Sequence, residues 1–413
     1  MKAWKYRIAL VLGILLIVGG RPQFAAAQDC ERAKEFYSEA VVLNDGSEQE
    51  ADFYRQAISA CPDYADAHYR LGSLYAAWGQ YQQAVSAYTT AIRLNLSYVE
   101  AYNGLGQVYY NQGQYEAARM KFEEAARVRP DYIAPRMGLG KIYARRQEYL
   151  RAADEYARVL ELDPEFVDAL YELGWVYEQQ EMYAESIDYY QQARRLASQH
   201  DEVSVRLGIV YRQLGQAERA IEELAHALSL NHNNFTIHYE LGVTYFEQRD
   251  YAQASKEFQA FLRFRPGDIE AYLYLAKIHL ARNEDEQALS MFQELLRYAP
   301  SHAEAHLELG KIYSKKQRYP DAIREYQAVL QMNPTNADAL YQLALLHVQQ
   351  GEYDQAVDVC RRAIIFNPTQ PEMRHTLAKI YLALAKRELE KASSASSTPE
   401  IRREIEVLNQ LGY

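Results

Sequence analysis

The sequence predicts an all-α fold, a solenoid of antiparallel helix hairpins with a 34-residue period. A Leu-Gly or Leu-Ala pair recurs at this interval, without insertion or deletion, from Leu71-Gly72 to Leu377-Ala378. A tyrosine or histidine follows each pair, beginning at Tyr75, and an alanine column and a mostly aromatic column keep the same step. A fixed period of about 20 to 50 residues is typical of solenoids, in which each unit buries its apolar face against its neighbours.

Each repeat is predicted to contain two helices, as residues 99–132 illustrate. Ala101 and Leu105 recur at helical spacing in the first half, which predicts an amphipathic first helix. Gly113 ends it, because glycine accepts the left-handed turn after a helix. Pro130 stops the second helix, because proline cannot continue the hydrogen-bond pattern.

Small residues recur inside these helices. Gly106 lies in the first helix of its repeat and Ala118 in the second. A glycine inside a helix costs about 1 kcal/mol, so its repetition indicates a packing need. We expect these residues to let the two helix backbones approach closely.

These columns resemble the tetratricopeptide repeat (TPR), and the resemblance covers roughly residues 31 to 391. It implies a right-handed superhelical α-solenoid in which the first helix of each hairpin lines a concave groove. It also implies a function in protein–protein interaction rather than catalysis.

Charge and composition exclude some partner classes. Removal of a predicted leader that carries four basic and no acidic residues changes the formal net charge from −11 to −15. Such a chain is a poor match to nucleic acid or to an anionic membrane surface. Most of the 36 tyrosines fall in or near repeat columns, so they indicate core packing rather than base stacking.

Residues 1–27 are predicted to be a signal peptide. A basic start is followed by a 13-residue uncharged run from Ile8 to Gly20, and Ala25 and Ala27 form an Ala-x-Ala site before Gln28. The run is short for a membrane span, which needs about 20 apolar residues. Cleavage after Ala27 leaves a mature chain without an integral span. The alternative is an uncleaved anchor. We expect a periplasmic or outer-membrane-associated bacterial protein, with secretion as the second possibility.

Residues 28–64 are predicted to form an atypical N-terminal capping repeat. An unusual terminal unit is expected because one of its faces meets water. Cys30 opens the first helix of this repeat and Cys61 closes the second, and these ends lie side by side in an antiparallel hairpin. An exported chain meets oxidising conditions, so we expect a Cys30–Cys61 disulfide. Two free thiols are the alternative. Cys360 lies in the aromatic column and is expected to be buried.

The rest of the chain divides into an array and an end. Residues 65–370 are predicted to hold nine gapless TPR units, and residues 371–413 a partial repeat and a capping helix. That last helix is expected to begin with Thr398 as N-cap and Pro399 in the first turn, after a small-residue loop at 393–397. A loose tail helix that docks another protein is the alternative.

No catalytic motif is apparent, and no segment remains for a separate catalytic domain. His302 and His306 are four residues apart, a spacing that can bind zinc. Repeat register explains His306, however, and no further ligands are evident. We therefore expect no enzymatic activity, no metal and no cofactor.

The resemblance also implies a partner-binding surface. In TPR arrays, set positions of the first helix point into the groove. Here these positions are Tyr69, Asn103, Tyr110, Lys141, Arg145, Tyr171, Trp175, Arg212, Tyr239, Phe246, Lys277, Lys311, Lys315 and Tyr341. Aromatic and arginine side chains are typical binding anchors. Lys277, Lys311 and Lys315 form a basic strip suited to an acidic segment. One TPR subgroup clamps a chain-terminal carboxylate with lysine and asparagine, but Tyr69 fills the first lysine position.

Three functions remain open. The first is an exported, non-catalytic scaffold that binds an extended segment or partner protein in the groove, in envelope, secretion or polysaccharide-export assembly. The second is a self-associating structural module. The third is an accessory subunit of a separate glycosyl-transfer enzyme. The partner's identity and the oligomeric state stay open.

Overall fold

The computed structural model describes residues 21–368, 371–395 and 398–410. This part of the chain contains 22 α-helices and no strand. It divides into two compact units, Met1–Gln216 and Ala217–Tyr413. None of the described helices combines the length and the apolar character of a membrane span.

Unit 1 is a stack of helix hairpins. Its helices are α1 Arg21–Leu43, α2 Glu48–Ala60, α3 Ala65–Ala77, α4 Tyr81–Leu94, α5 Val99–Asn111, α6 Tyr115–Val128, α7 Ile133–Arg145, α8 Tyr149–Leu162, α9 Val167–Gln179, α10 Tyr183–Leu196 and α11 Asp201–Gln213. Each odd-numbered helix from α1 to α9 pairs with the next helix, and each pair packs on the pair that follows, with α11 packed on α10.

Unit 2 repeats the arrangement. Its helices are α12 Ala217–Leu230, α13 Phe235–Glu247, α14 Tyr251–Phe264, α15 Ile269–Ala281, α16 Asp285–Tyr298, α17 Ala303–Lys315, α18 Tyr319–Met332, α19 Ala337–Gln349, α20 Tyr353–Phe366, α21 Pro371–Ala395 and α22 Pro399–Gln410. From α12 to α22, every helix contacts its successor. The fold is therefore the predicted all-α solenoid of helix hairpins.

In most hairpins the core is a ring from the second helix packed on the Leu-Gly pair of the first. Leu105, Phe122 and Ala125 are buried on the facing sides of α5 and α6. A methyl group added at Gly106 would lie 2.7 Å from the Phe122 ring. The expected reason for the small residue was therefore wrong in detail, because glycine makes room for the ring of the partner helix and not for its backbone.

The turns within the hairpins share one strained backbone position. Nine residues at 34-residue intervals have φ between +57° and +74°. Glycine fills four of these positions, whereas the other five are Gln147, Glu181, Arg249, Asn283 and Gln317. A side chain disfavours this left-handed conformation by roughly 1–2 kcal/mol, so five turns retain local strain.

The N-terminal repeat is closed by the predicted disulfide, which joins Cys30 and Cys61 with their Cα atoms 4.8 Å apart. The sequence predicted that Cys30 opens the first helix of this repeat. Helix α1 begins at Arg21, however, so Cys30 lies inside the helix. The bond after Ala27, where cleavage is predicted, is within α1. Residues 1–20 of the predicted signal peptide lie outside the described residues.

The C-terminal end differs in detail from the expectation. Helix α21 continues to Ala395, so residues 393–395 are helical and the prediction of a loop is wrong for them. The Thr398 hydroxyl accepts a hydrogen bond from the Ile401 amide at 3.4 Å, as predicted for an N-cap. Helix α22 packs on α21 but buries none of its described side chains.

Gln147→Gly is expected to stabilise the chain by up to about 1 kcal/mol, because Gln147 has φ +61° and glycine adopts this backbone without steric cost. Urea unfolding of the full chain, followed by circular dichroism, measures the change. Gln112→Gly is the matched control, since Gln112 is also exposed but has φ −81°, and it should be neutral or destabilising. A lower midpoint for Gln147→Gly would contradict the strain.

Candidate binding cleft on the first helices

The fourteen predicted groove residues all lie on first helices, here defined as α3, α5, α7, α9 and α11 in unit 1 and α13, α15, α17 and α19 in unit 2. None of them is buried. Lys141, Arg145, Lys311 and Lys315 are exposed, and the other ten are half-buried. All fourteen side chains are therefore accessible to some degree.

Five of them meet in one place in unit 1. Tyr110 of α5, Lys141 and Arg145 of α7, and Tyr171 and Trp175 of α9 line a cleft of about 510 Å³. Ala144, Glu172 and Arg206 complete its lining. These eight residues are called the unit 1 cleft below. Four consecutive first helices contribute to it, so the repeat stack itself assembles the site.

Aromatic neighbours support the rings of the cleft. Trp175 packs edge-on against Tyr149 of α8, with the ring centroids 6.2 Å apart. Tyr110 meets Tyr115 of α6 in the same way at 5.5 Å. Because a ring of a second helix packs against each of these two side chains, Trp175 and Tyr110 would lose little conformational entropy on binding.

The charges of the cleft are mixed, with basic groups in excess. The Lys141 Nζ lies 3.7 Å from the Glu172 carboxylate. The Arg145 guanidinium lies over the Tyr115 ring, 5.1 Å from its centroid, and no carboxylate of the described residues pairs with it. Burial raises the pKa of the Glu172 carboxyl above its ordinary value, although Lys141 opposes the shift.

Arg206 is held in place by the buried carboxylate of Glu178. Its guanidinium donates to the Glu178 carboxylate at 3.4 Å and lies 3.5 Å from the Tyr171 hydroxyl. The Tyr190 hydroxyl donates to the second oxygen of Glu178 at 2.8 Å. Glu178 is 7 % exposed, so the pair fixes the position of the guanidinium at the cleft.

Sequence reasoning missed Glu172 and Arg206. They occupy the same repeat position, 34 residues apart and directly before the Leu-Gly pair, which is not among the groove positions of the resemblance. The signal was available, because both residues are charged at a position next to the core leucine.

The other predicted residues of unit 1 do not line this cleft. Tyr69 packs on Tyr98 and Tyr88, at centroid distances of 5.0 and 5.9 Å. Asn103 is half-buried on α5, and Arg212 is half-buried near the end of α11.

In unit 2, the predicted aromatic residues belong to a packed cluster. Tyr239 meets Phe261 at 5.2 Å, and Phe246 meets Tyr274 at 5.1 Å. Tyr239 also lines a smaller cleft of about 260 Å³ beside Phe235. Tyr341 is half-buried and packs against the core of the unit. These rings therefore pack within the hairpins and also leave part of their surface accessible to a partner.

The predicted basic strip of unit 2 is neutralised. Lys277 pairs with Glu304 at 3.0 Å, Lys311 with Glu308 at 2.7 Å and Lys315 with Asp285 at 2.6 Å. Acidic residues of the same and neighbouring helices therefore balance the charge of each lysine in the strip, and its suitability for an acidic segment stays a prediction. Exposed pairs of this kind contribute about 0–1 kcal/mol each.

Models of repeat families match most of the chain. TPR models match residues 53–86, 72–113, 99–132 and 137–201. The model of the tetratricopeptide repeat protein 21 C-terminal ARM domain matches residues 199–380.

The chain is a TPR protein. Its repeats have the architecture of a protein-interaction scaffold. No curated protein matches this TPR sequence significantly.

Solved structures share the fold. The C-terminal part of a TPR repeat-containing protein from Cytophaga hutchinsonii is similar with a TM-score of 0.50 at 17% identity, over 58% of this chain and 99% of that chain. The pilF protein of Pseudomonas aeruginosa gives 0.45 at 22%, over 52% and 97%. YrrB, a TPR protein with an unusual peptide-binding site, gives 0.40 at 21%, over 45% and 96%.

The two histidines with zinc-like spacing in this TPR protein, His302 and His306, have structural partners. His306 contacts the Glu325 carboxylate at 2.6 Å and the Pro300 carbonyl at 3.0 Å. His302 caps α17 by accepting from the Ala305 amide at 3.2 Å. Within the described residues, no group of three or more potential ligands is placed to hold a metal ion.

Glu172→Gln is expected to stabilise the TPR chain near neutral pH, but not in acid. A carboxyl whose pKa is raised by folding lowers stability as pH rises above its ordinary pKa of 4.5. Glutamine removes this loss. Urea midpoints at about pH 7.5 should therefore rise for the variant, whereas those near pH 4 should coincide with wild type.

Glu161→Gln is the control, because Glu161 is exposed on α8. Identical midpoints of Glu172→Gln and wild type at both pH values would show that burial does not penalise the Glu172 carboxylate.

Proposed function

We propose that this TPR protein is an exported, non-catalytic scaffold that holds an extended segment of a partner protein in the unit 1 cleft. The observation that carries the proposal is the convergence of Tyr110, Arg145 and Trp175 from three successive first helices on one cleft. These three residue types dominate the energetics of protein interfaces.

The form of the cleft supports binding of a chain segment. Its volume of about 510 Å³ accommodates a few side chains and not a folded domain. Trp175 and Tyr171 are half-buried, so they present ring surface to an incoming chain while remaining packed. A peptide that crosses α5, α7, α9 and α11 would contact four repeats at once.

Export is supported by two features of the N-terminal region. The basic and apolar start followed by Ala25-Ala26-Ala27 is typical of a secretory signal peptide. The disulfide between Cys30 and Cys61 suits an oxidising compartment. We propose a bacterial periplasmic or outer-membrane-associated location, and a role in assembling envelope, secretion or polysaccharide-export machinery.

Trp175→Ala and Arg145→Glu are each expected to lower partner capture at least tenfold, because they remove an aromatic anchor and invert an exposed charge in the cleft. Affinity capture from the native envelope, with quantitative mass spectrometry of co-purified proteins, measures the loss. Arg93→Glu makes the same charge change at an exposed position of α4 and should leave capture intact.

Capture that is equal in all variants would refute the cleft as the binding surface. Stable homo-oligomers in light scattering, unchanged by the same substitutions, would favour the self-associating module instead.

The mature chain is expected to begin at Gln28 and to contain the Cys30–Cys61 disulfide. Fractionation of the native cells should place it outside the cytoplasm, and intact-mass and non-reducing peptide mass spectrometry should identify the new N-terminus and the linked peptides. A full-length chain in the cytoplasm with both thiols free would refute export.

A further inference from the structure

The Arg206 guanidinium lines the unit 1 cleft with part of its hydrogen-bonding capacity unused. Its Nη1 atom donates to the Glu178 carboxylate at 3.4 Å, and its Nε atom faces the Tyr171 hydroxyl at 3.5 Å. An arginine side chain has five N–H donors. Among the residues that the structure describes, none accepts from the Nη2 atom, which carries two of these donors. Because Arg206 is half-buried in the lining of the cleft, these two donors remain for a bound segment.

The acid that holds Arg206 is specific to this repeat. Glu178 is the only acidic residue at its repeat position. A buried ion pair is a weak source of stability, since apolar residues of similar volume often replace one without loss. The buried carboxylate is therefore explained better by the position that it gives Arg206. At the same repeat position the other repeats of the array have Ala76, Tyr110, Ala144, Arg212, Phe246, Leu280, Ser314 and Val348.

The ion pair also determines which acceptor suits Arg206. Glu178 is buried, so its negative charge offsets that of the guanidinium in a place shielded from water. A second carboxylate at Arg206 would meet the Glu178 charge at short range and be repelled by it. A neutral carbonyl oxygen would accept the same hydrogen bond without this repulsion.

An extended segment offers such an acceptor at every residue. Its carbonyl groups have no partner within the segment, unlike those of a helix, and they need one when they are removed from water. The lining of the cleft comes from four consecutive first helices, a length that suits an extended chain. A donor at a fixed place in the cleft can therefore pair with the main chain of a segment whatever its sequence.

We propose that Arg206 is a specificity-determining residue of the unit 1 cleft, which donates from Nη2 to a main-chain carbonyl of the bound segment, and that Glu178 is its positioning residue. The contact selects an extended conformation and not a particular side chain. This inference rests on the proposed function, since it concerns the segment that the same cleft holds.

The first test locates the carbonyl. Random dodecapeptides are selected on the mature chain, with Trp175→Ala as the counter-selected variant. In the best peptide, single amides are then replaced in turn by esters, whose carbonyl is a weaker acceptor, and affinities are measured by calorimetry. Arg206→Met should weaken binding about tenfold or more, the loss expected for a hydrogen bond from a charged donor. One ester should weaken binding to wild type but not to Arg206→Met.

A double-mutant cycle tests the positioning role of Glu178. Glu178→Met should weaken the best peptide about tenfold on its own and have no further effect in the Arg206→Met background, because it acts through Arg206. A loss that is equally large in both backgrounds would show that Glu178 does not act through Arg206. The double variant replaces the ion pair by apolar side chains, and its urea midpoint checks that the fold is retained.

Glu155→Met is the matched control. Glu155 of α8 pairs with Arg136 at 3.2 Å, and both residues are half-buried, but neither lines the cleft. Loss of this ion pair should leave the affinity for the best peptide unchanged. A weakening equal to that of Glu178→Met would assign both effects to the stability of unit 1 and contradict the positioning role.

The outcomes separate the two proposals. Failure of wild type to enrich any peptide over Trp175→Ala would overturn the proposed function. An affinity that is unaffected by Arg206→Met would overturn only the inference on Arg206. The same holds if the loss caused by Arg206→Met disappears once an acidic residue of the peptide is replaced by its amide, because the acceptor would then be a carboxylate.

Discussion

The contact between a second-helix ring and the Leu-Gly pair of the first helix is the interaction on which the structure depends. At Gly106 and Gly174 the space that a Cβ would take is filled by the rings of Phe122 and Tyr190. Full burial of such a ring contributes about 1.5–3 kcal/mol, and the absence of a methyl group leaves room for the ring against the helix. A single hairpin cannot shield this core, so each one depends on its neighbours.

The same contact also underlies the candidate site. Gly140 leaves room for the Tyr156 ring beneath α7, the helix that carries Lys141 and Arg145 of the unit 1 cleft. The pairing of Glu178 with Arg206 and Tyr190 is a second case, in which a core tyrosine steadies a charge at the surface. A core tyrosine and a residue of the cleft are therefore linked through Glu178.

Five cleft residues followed from the groove positions of the TPR resemblance, because repeat position determines which side of a helix a residue occupies. Glu172 and Arg206 did not, because their repeat position is not among the groove positions of the resemblance. For the lysines of unit 2, the sequence predicted the positions but not the ion pairs. Their positions on the first helices were correct, but their pairing with Glu304, Glu308 and Asp285 involves residues of neighbouring turns and helices that no single column represents.

The sequence by itself determined the all-α hairpin architecture, the turn positions and the Cys30–Cys61 pairing, because a gapless 34-residue period places every core residue, turn and hairpin end in register. Only the tertiary structure decided which first-helix residues converge and which charges are already neutralised. These properties depend on distances between side chains of different repeats, which a periodic pattern does not contain.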